Sequence, residues 1–188
     1  NNQIRNFFIN IIPFNLMKKK NIAIFASGSG TNAENIVRYF AGSEIASVKL
    51  ILSNNPEALV LKRAEALNVK TSVFDRNIFY KDTTILQLLK ENQIDLIILA
   101  GFLWLIPKYL IEEYSDRIIN IHPALLPKYG GKGMYGLHVH QAVISGGDKE
   151  SGITIHYVND KYDEGNIIFQ EQCKIDPGDT PEKLAEKI

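Results

Sequence analysis

The chain has 188 residues and a single cysteine, Cys173, so no intrachain disulfide can form. A lone thiol fits a reducing compartment and leaves the fold to be held by packing. Neither sign of charge is in excess: Lys+Arg and Asp+Glu number 21 each, and the formal net charge is zero. That argues against a broad basic field for nucleic acid, so any anion recognition has to be local. No apolar run reaches the roughly 18 residues of a transmembrane helix. The length is sufficient for one domain that buries about 70% of its surface on folding.

The first sixteen residues, NNQIRNFFINIIPFNL, lack an initiator Met, the long apolar core of a signal peptide and a small-residue cleavage site. Met17, followed by three lysines and a strand, reads as a natural start. The leader is then an upstream extension outside the fold, and the domain spans 17–188.

Beyond Met17 the hydrophobic pattern alternates between two periods. Apolar runs predict strands at 22–27, 47–53, 69–74, 94–100 and 117–121. Between them, helical spacing covers 32–40, 56–68 with Pro56 in its first turn, 77–92 and 107–114. A helix is expected at 137–145. Residues 152–158 and 166–175 follow with the alternation of an antiparallel pair. Thr180 and Pro181 open a last helix as N-cap and first residue, and the chain stops within it. Strands alternating with helices specify an α/β fold with right-handed crossovers and a mostly parallel sheet. The last two strands add an antiparallel edge.

Three stretches carry candidate chemistry. The first strand runs into S-G-S-G-T-N, Ser27 to Asn32, at the start of a helix. Glycines there allow a tight turn and present backbone N–H groups to an anion. The spacing Gly28-x-Gly30-x-x-Ala33 also meets a loose dinucleotide fingerprint, but that fingerprint expects an acid at the end of the second strand. The end reads Ser53-Asn54-Asn55, so a phosphate monoester at Gly30, Thr31 and Asn32 fits better than a nicotinamide cofactor. A plain tight turn is the alternative.

The second stretch is N-I-H-P-A-L-L-P, Asn120 to Pro127. Strand alternation puts Asn120 and His122 on one face, and Pro123 ends the ladder beside them. The alternative is a turn cap with a satisfied histidine. The third is Y-V-N-D-K-Y-D-E-G, 157–165, which joins the last two strands and carries Asp160, Asp163 and Glu164. A carboxylate brought from it to His122 would hold the ring as imidazolium; otherwise the loop is a solvated acidic turn. G-G-K-G at 130–133 lacks the Ser/Thr of a phosphate-binding P-loop. His138 and His140 diverge on a helix and have no cysteine or carboxylate cluster beside them, so no metal is expected.

Together S-G-S-G-T-N, A-G-F-L-W-L-I-P (100–107), N-I-H-P-A-L-L-P and Y-D-E-G resemble the folate-dependent formyltransferases over about residues 21–188. The glycine loop selects the glycinamide ribonucleotide branch over those acting on tRNA or sugar nucleotides. The resemblance implies a Rossmann-like, doubly wound formyltransferase fold. It also implies formyl transfer from 10-formyltetrahydrofolate to the amine of 5-phosphoribosylglycinamide in purine synthesis, with no metal. It implies a cytoplasmic monomer or homodimer that binds neither nucleic acid nor membrane. Asn120, His122 and Asp163 would be the catalytic trio. Gly30, Thr31, Asn32 and Asn120 would hold the ribonucleotide. Leu103, Trp104, Leu105, Ile106, Asn120, Asn159, Asp160, Lys161, Tyr162 and Asp163 would hold the folate.

Departures from the pattern also show. Trp104 stands where some relatives carry arginine, and either Arg76 or Lys81 could supply a basic contact. The loop after Tyr129 has an extra G-K-G-M-Y segment. A glutamate that the family's last helix brings to the amine substrate would lie beyond Ile188. Two other readings remain open: a formyltetrahydrofolate hydrolase, for which an extra N-terminal regulatory domain would be expected before the residues given, and a non-catalytic phosphate-binding module.

Overall fold

The computed structural model describes residues 18–188; the leader and the Met17 start read from the sequence lie outside the described residues. Seven strands form one sheet: β1 (Lys20–Phe25), β2 (Ala46–Ser53), β3 (Lys70–Val73), β4 (Leu96–Leu99), β5 (Ile118–His122), β6 (Glu150–Tyr157) and β7 (Ile167–Lys174). Their order is β3-β2-β1-β4-β5-β6-β7. The first five strands are mutually parallel, and β6 pairs antiparallel with both β5 and β7. The helices among the described residues are α1 (Thr31–Tyr39), α2 (Leu59–Ala66), α3 (Arg76–Lys81), α4 (Thr84–Glu91), α5 (Lys108–Glu113), α6 (Leu137–Ser145) and α7 (Pro181–Lys187). None is long and apolar enough to cross a membrane.

The apolar run of β1 is continuous because both of its faces are covered. Ile22, Ile24 and Ala26 meet Ala33 of α1 and Val60 and Ala64 of α2. Ala23 and Phe25 meet Phe79 of α3, Ile85 and Leu89 of α4, and Leu110 of α5. The first of these faces continues over Ile119, Ile121 and Ile155. Ser151 and Ile153 share it by alternation with Ile155, and so does Cys173, which pairs with Ser151 across β6 and β7. Cys173 packs with Val139 and Val143 of α6 and Leu184 of α7. Helices α1, α2, α6 and α7 therefore cover one face, and α3, α4 and α5 the other.

Two expected helices need correction. The one read at 56–68 begins only at Leu59, and Pro56 lies in the turn before it rather than in its first turn. Asn55 organises that turn: its side chain accepts from Glu57 N at 3.0 Å and its carbonyl from Ala58 N at 3.2 Å. The one read at 77–92 is two helices, α3 and α4, broken at Asp82. The Asp82 carboxylate takes both the N–H and the hydroxyl of Thr84, each at 2.8 Å. A local side-chain bond to the backbone thus wins over helix continuation. The last helix follows expectation, with the Thr180 hydroxyl accepting from Lys183 N and Pro181 as its first residue.

The strand order reverses between β1 and β4. In open α/β sheets such a point opens a crevice at the carboxyl ends of the strands. The loops after β1, β4 and β5 meet there.

Candidate active site

A cleft of about 890 Å³ occupies that crevice. The glycine loop forms one part of it. Ser27 is buried and ties the loop to the segment after β4: its N–H donates to Gly101 O, and its Oγ accepts from Leu103 N at 3.0 Å. Gly30 stands at the N-cap of α1 with φ 73°, the left-handed region. A Cβ there would overlap the Val60 side chain, so the glycine is needed for packing as well as for backbone conformation. Arg63 braces the loop from α2, donating to Ser29 O at 2.9 Å and pairing with Glu34. Gly30, Thr31 and Asn32 all line the cleft.

The polar centre is built by β5, β6 and the loop after β6. In register, Asn120 lies opposite His156 and His122 opposite Thr154. Asp163 approaches from the loop with φ 56°, a left-handed conformation that Asp and Asn adopt more readily than most residues. The loop returns to the sheet through Gly165, where a Cβ would overlap the Tyr157 carbonyl. One Asp163 oxygen accepts from Gly131 N at 2.9 Å and lies 3.6 Å from His122 Nδ1. The other accepts from Asn120 Nδ2 at 3.1 Å and lies 3.5 Å from His156 Nε2. The His156 Nδ1–H donates to the Tyr157 carbonyl at 2.8 Å, which leaves its Nε2 to accept from Asn120 Nδ2 at 3.1 Å. His122 Nε2–H donates to the Tyr129 carbonyl at 2.8 Å.

The electrostatics correct one expectation. Burial lowers the pKa of His122, and although Asp163 and the Tyr129 carbonyl push it back up, the net direction is down. Asp163 therefore limits the loss of the imidazolium rather than fixing the ring in that form. For Asp163 itself burial acts upward, but the contacts with His156, His122 and Gly131 N–H together keep the carboxyl below the ordinary carboxylate range.

An aromatic wall closes the far side. The Trp104 and Tyr80 rings stack with centroids 6.1 Å apart, and the Arg76 guanidinium lies 4.8 Å from the Trp104 ring centroid. Tyr80 OH donates to Leu105 O at 3.0 Å and fixes the wall to the segment after β4.

Of the folate residues implied by the resemblance, Leu103, Trp104, Asn120, Tyr162 and Asp163 line the cleft. Ile106 is buried in the core under α5, and Leu105, Asn159, Asp160 and Lys161 stand outside the lining. Lys161 pairs with Glu164 at 3.0 Å. Between the two basic candidates, Arg76 lines the cleft and Lys81 does not. Helix α6 exposes His138 and buries His140.

Sequence reasoning missed His156. The alternation of G-I-T-I-H-Y does place Thr154 and His156 on one face, but only the β5–β6 pairing shows that this face continues that of Asn120 and His122. It also missed the Tyr129 carbonyl, because backbone partners leave no signature in residue type.

The sequence profile of the formyl transferase family matches residues 20–188. The chain is 37% identical over 177 residues to a chloroplastic phosphoribosylglycinamide formyltransferase of Arabidopsis thaliana, covering 91% of this chain and 61% of that protein. It thus spans about three fifths of the length of that relative. It is 37% identical over 174 residues to the phosphoribosylglycinamide formyltransferase of Bacillus subtilis, covering 90% of this chain and 87% of the other. Among solved structures, the phosphoribosylglycinamide formyltransferase from Bacillus halodurans superposes with a TM-score of 0.79 at 40% identity, covering 90% of this chain and 87% of that one.

Proposed function

The chain belongs to the formyl transferase family, and we propose that it transfers the formyl group of 10-formyltetrahydrofolate to the amine of 5-phosphoribosylglycinamide, a step of purine synthesis, in the cytoplasm and as a monomer or homodimer. The observation that carries this reading is one cleft holding three features: a glycine loop at a helix start, an aromatic wall, and Asn120, His122 and Asp163 between them. The glycine loop suits a phosphate. The wall of Trp104, Tyr80 and Arg76 suits a flat aromatic ligand with an anionic tail.

In the reaction the amine lone pair attacks the formyl carbon and the carbonyl electrons move to oxygen. The tetrahedral oxyanion then collapses and expels the folate nitrogen, which receives the proton that the amine gives up. Asn120 and His122 are the donors for the oxyanion. Both hold internal acceptors, Asp163 and His156 for Asn120 and the Tyr129 carbonyl for His122. A neutral formyl oxygen competes poorly for those hydrogens, whereas a charged one forms hydrogen bonds roughly twice as strong. The exchange therefore favours the transition state over the ground state, as catalysis requires. Burial keeps His122 reluctant to ionise at rest, and the proton given up by the attacking amine rests on the ring, favoured there by the oxyanion and Asp163, before it passes to the leaving folate nitrogen.

The test is incubation of the purified protein with both compounds, following tetrahydrofolate release and formylated ribonucleotide. Product that needs both substrates is the expected result. Formate released from the folate alone would establish a hydrolase, and turnover of neither would leave a binding module.

A further inference from the structure

We propose that His140 is a further ribonucleotide-binding residue, donating an Nε2–H to a ribose or phosphate oxygen beside the glycine loop. The inference deepens the reading above and rests on it. His140 lines the cleft yet is only 5% exposed. Its Nδ1 is enclosed and has no hydrogen-bond partner, and the ring makes no ion pair or hydrogen bond with any described residue. A buried polar side chain without a partner is costly, and such groups call for an explanation. A proton on the enclosed Nδ1 would be a buried donor with nothing to accept it. The tautomer that avoids this carries its proton on Nε2, which can point it at a ligand in the cleft. Burial, reinforced by the neighbouring His122, lowers the pKa of the ring, so it meets the ligand as a neutral donor.

The side of the sheet selects the ligand. Helix α6 packs with α7 on the face that α1 and α2 cover, and the glycine loop leads into α1. The aromatic wall belongs to the other face, with Phe79 and Leu110. His140 is therefore placed for the phosphoribosyl substrate and not for the folate. Asn120 and His122 reach the cleft from the tip of β5 between the two.

Glutamine and asparagine separate the two ring nitrogens, because the Gln amide nitrogen superposes on Nε2 and that of Asn on Nδ1. Isothermal titration with 5-phosphoribosylglycinamide, on wild type and on His140→Leu, His140→Asn and His140→Gln, reads affinity without turnover. His140→Leu and His140→Asn should bind about three- to tenfold more weakly, the loss of one neutral hydrogen bond. His140→Gln should recover most of the loss, and the KM for 10-formyltetrahydrofolate should stay within about twofold. Circular dichroism melts establish that each variant is folded. If Leu does not fold, the comparison of Gln with Asn decides. Equal affinities for Gln and Asn, or equal weakening for both substrates, would overturn the assignment while leaving the proposed function intact. No binding by the wild type would overturn the proposed function and this inference together.

Discussion

Replacing Asp163 by Asn removes one charge at nearly constant volume, and Asn tolerates the φ of 56° that the position requires. The structure indicates what is lost. At 3.6 Å from His122 Nδ1, the carboxylate attracts an imidazolium by on the order of 4–5 kcal/mol at an effective dielectric constant of about 20. The amide must also place its NH2 toward one of two donors. Pointing it at Gly131 N–H breaks a 2.9 Å bond, and pointing it at Asn120 Nδ2 breaks a 3.1 Å bond. Either orientation forfeits one of the two hydrogen bonds that the carboxylate accepts. If solvent and the oxyanion itself restore about half of the lost attraction, turnover falls by about 50-fold, equivalent to ~2.3 kcal/mol of transition-state stabilisation. The sign with pH follows from His122, whose pKa burial already lowers and whose remaining upward push from Asp163 disappears. The variant's ring needs more acid to charge, so its deficit against wild type should hold steady above the ordinary histidine pKa of about 6.5 and shrink as pH falls below it. The assay is a pH–rate profile for both proteins, with an NMR titration of His122. A deficit that stays constant or grows toward low pH would refute the electrostatic argument, and an unchanged rate would remove Asp163 from the reaction.

Asn120→Ala deletes the proposed oxyanion donor and should lower kcat by ~10²–10³-fold in a folded protein; activity within about threefold of wild type refutes the role. Trp104→Leu removes the ring face under Arg76 and the stack with Tyr80. It should raise the KM for the folate by about tenfold and leave that for the ribonucleotide unchanged, and initial rates with each substrate varied in turn will show whether it does. Gly30→Ala should cost about 2–4 kcal/mol of stability, measured by urea unfolding, from a left-handed backbone and an overlap with Val60. The phosphate contact is therefore better tested by mutation at Thr31 or Asn32 than at Gly30. His122 and His140 both have lowered pKa values, so the unfolded chain takes up their protons first as pH falls. Stability should be full above the ordinary histidine pKa of about 6.5 and decline below it. A melting temperature that is flat or rising as pH drops through that range would contradict the buried neutral state of both rings.

The strands were legible because β1, β4 and β5 are buried on both faces and have to be apolar throughout. The 56–68 and 77–92 helices were drawn too long for a local reason. Asn55 and Asp82 each use a side-chain oxygen to hold the backbone in a turn, and helical periodicity does not register that competition. Asn120, His122 and Asp163 could be selected because their residue types are informative at a strand tip or in a loop. Their neighbours could not. His156 depends on the β5–β6 register, Arg76 on the α3 start reaching the ring of Trp104, and the Tyr129 carbonyl on a backbone position any residue could supply.

That distribution reflects how the site is constrained. A strand tip can hold an amide and an imidazole on one face, but if they stood alone in a buried cleft their hydrogens would go unsatisfied, at about 1–3 kcal/mol each. The fold avoids this by supplying acceptors from three directions: the Tyr129 carbonyl, His156 on the adjacent strand and Asp163 on a loop. In the proposed reaction those acceptors have to be weak enough to release a hydrogen to an oxyanion and still satisfy the ground state. A neutral carbonyl meets that condition, whereas the carboxylate of Asp163 does not. Its stronger hold on Asn120 is moderated because the same two oxygens also face Gly131 N–H, His122 and His156. A second carboxylate in place of His156 would hold Asn120 too tightly to exchange and would raise the pKa of Asp163 by repulsion. A histidine opposite Asn120, its Nδ1 fixed on the Tyr157 carbonyl, keeps the donor satisfied and available.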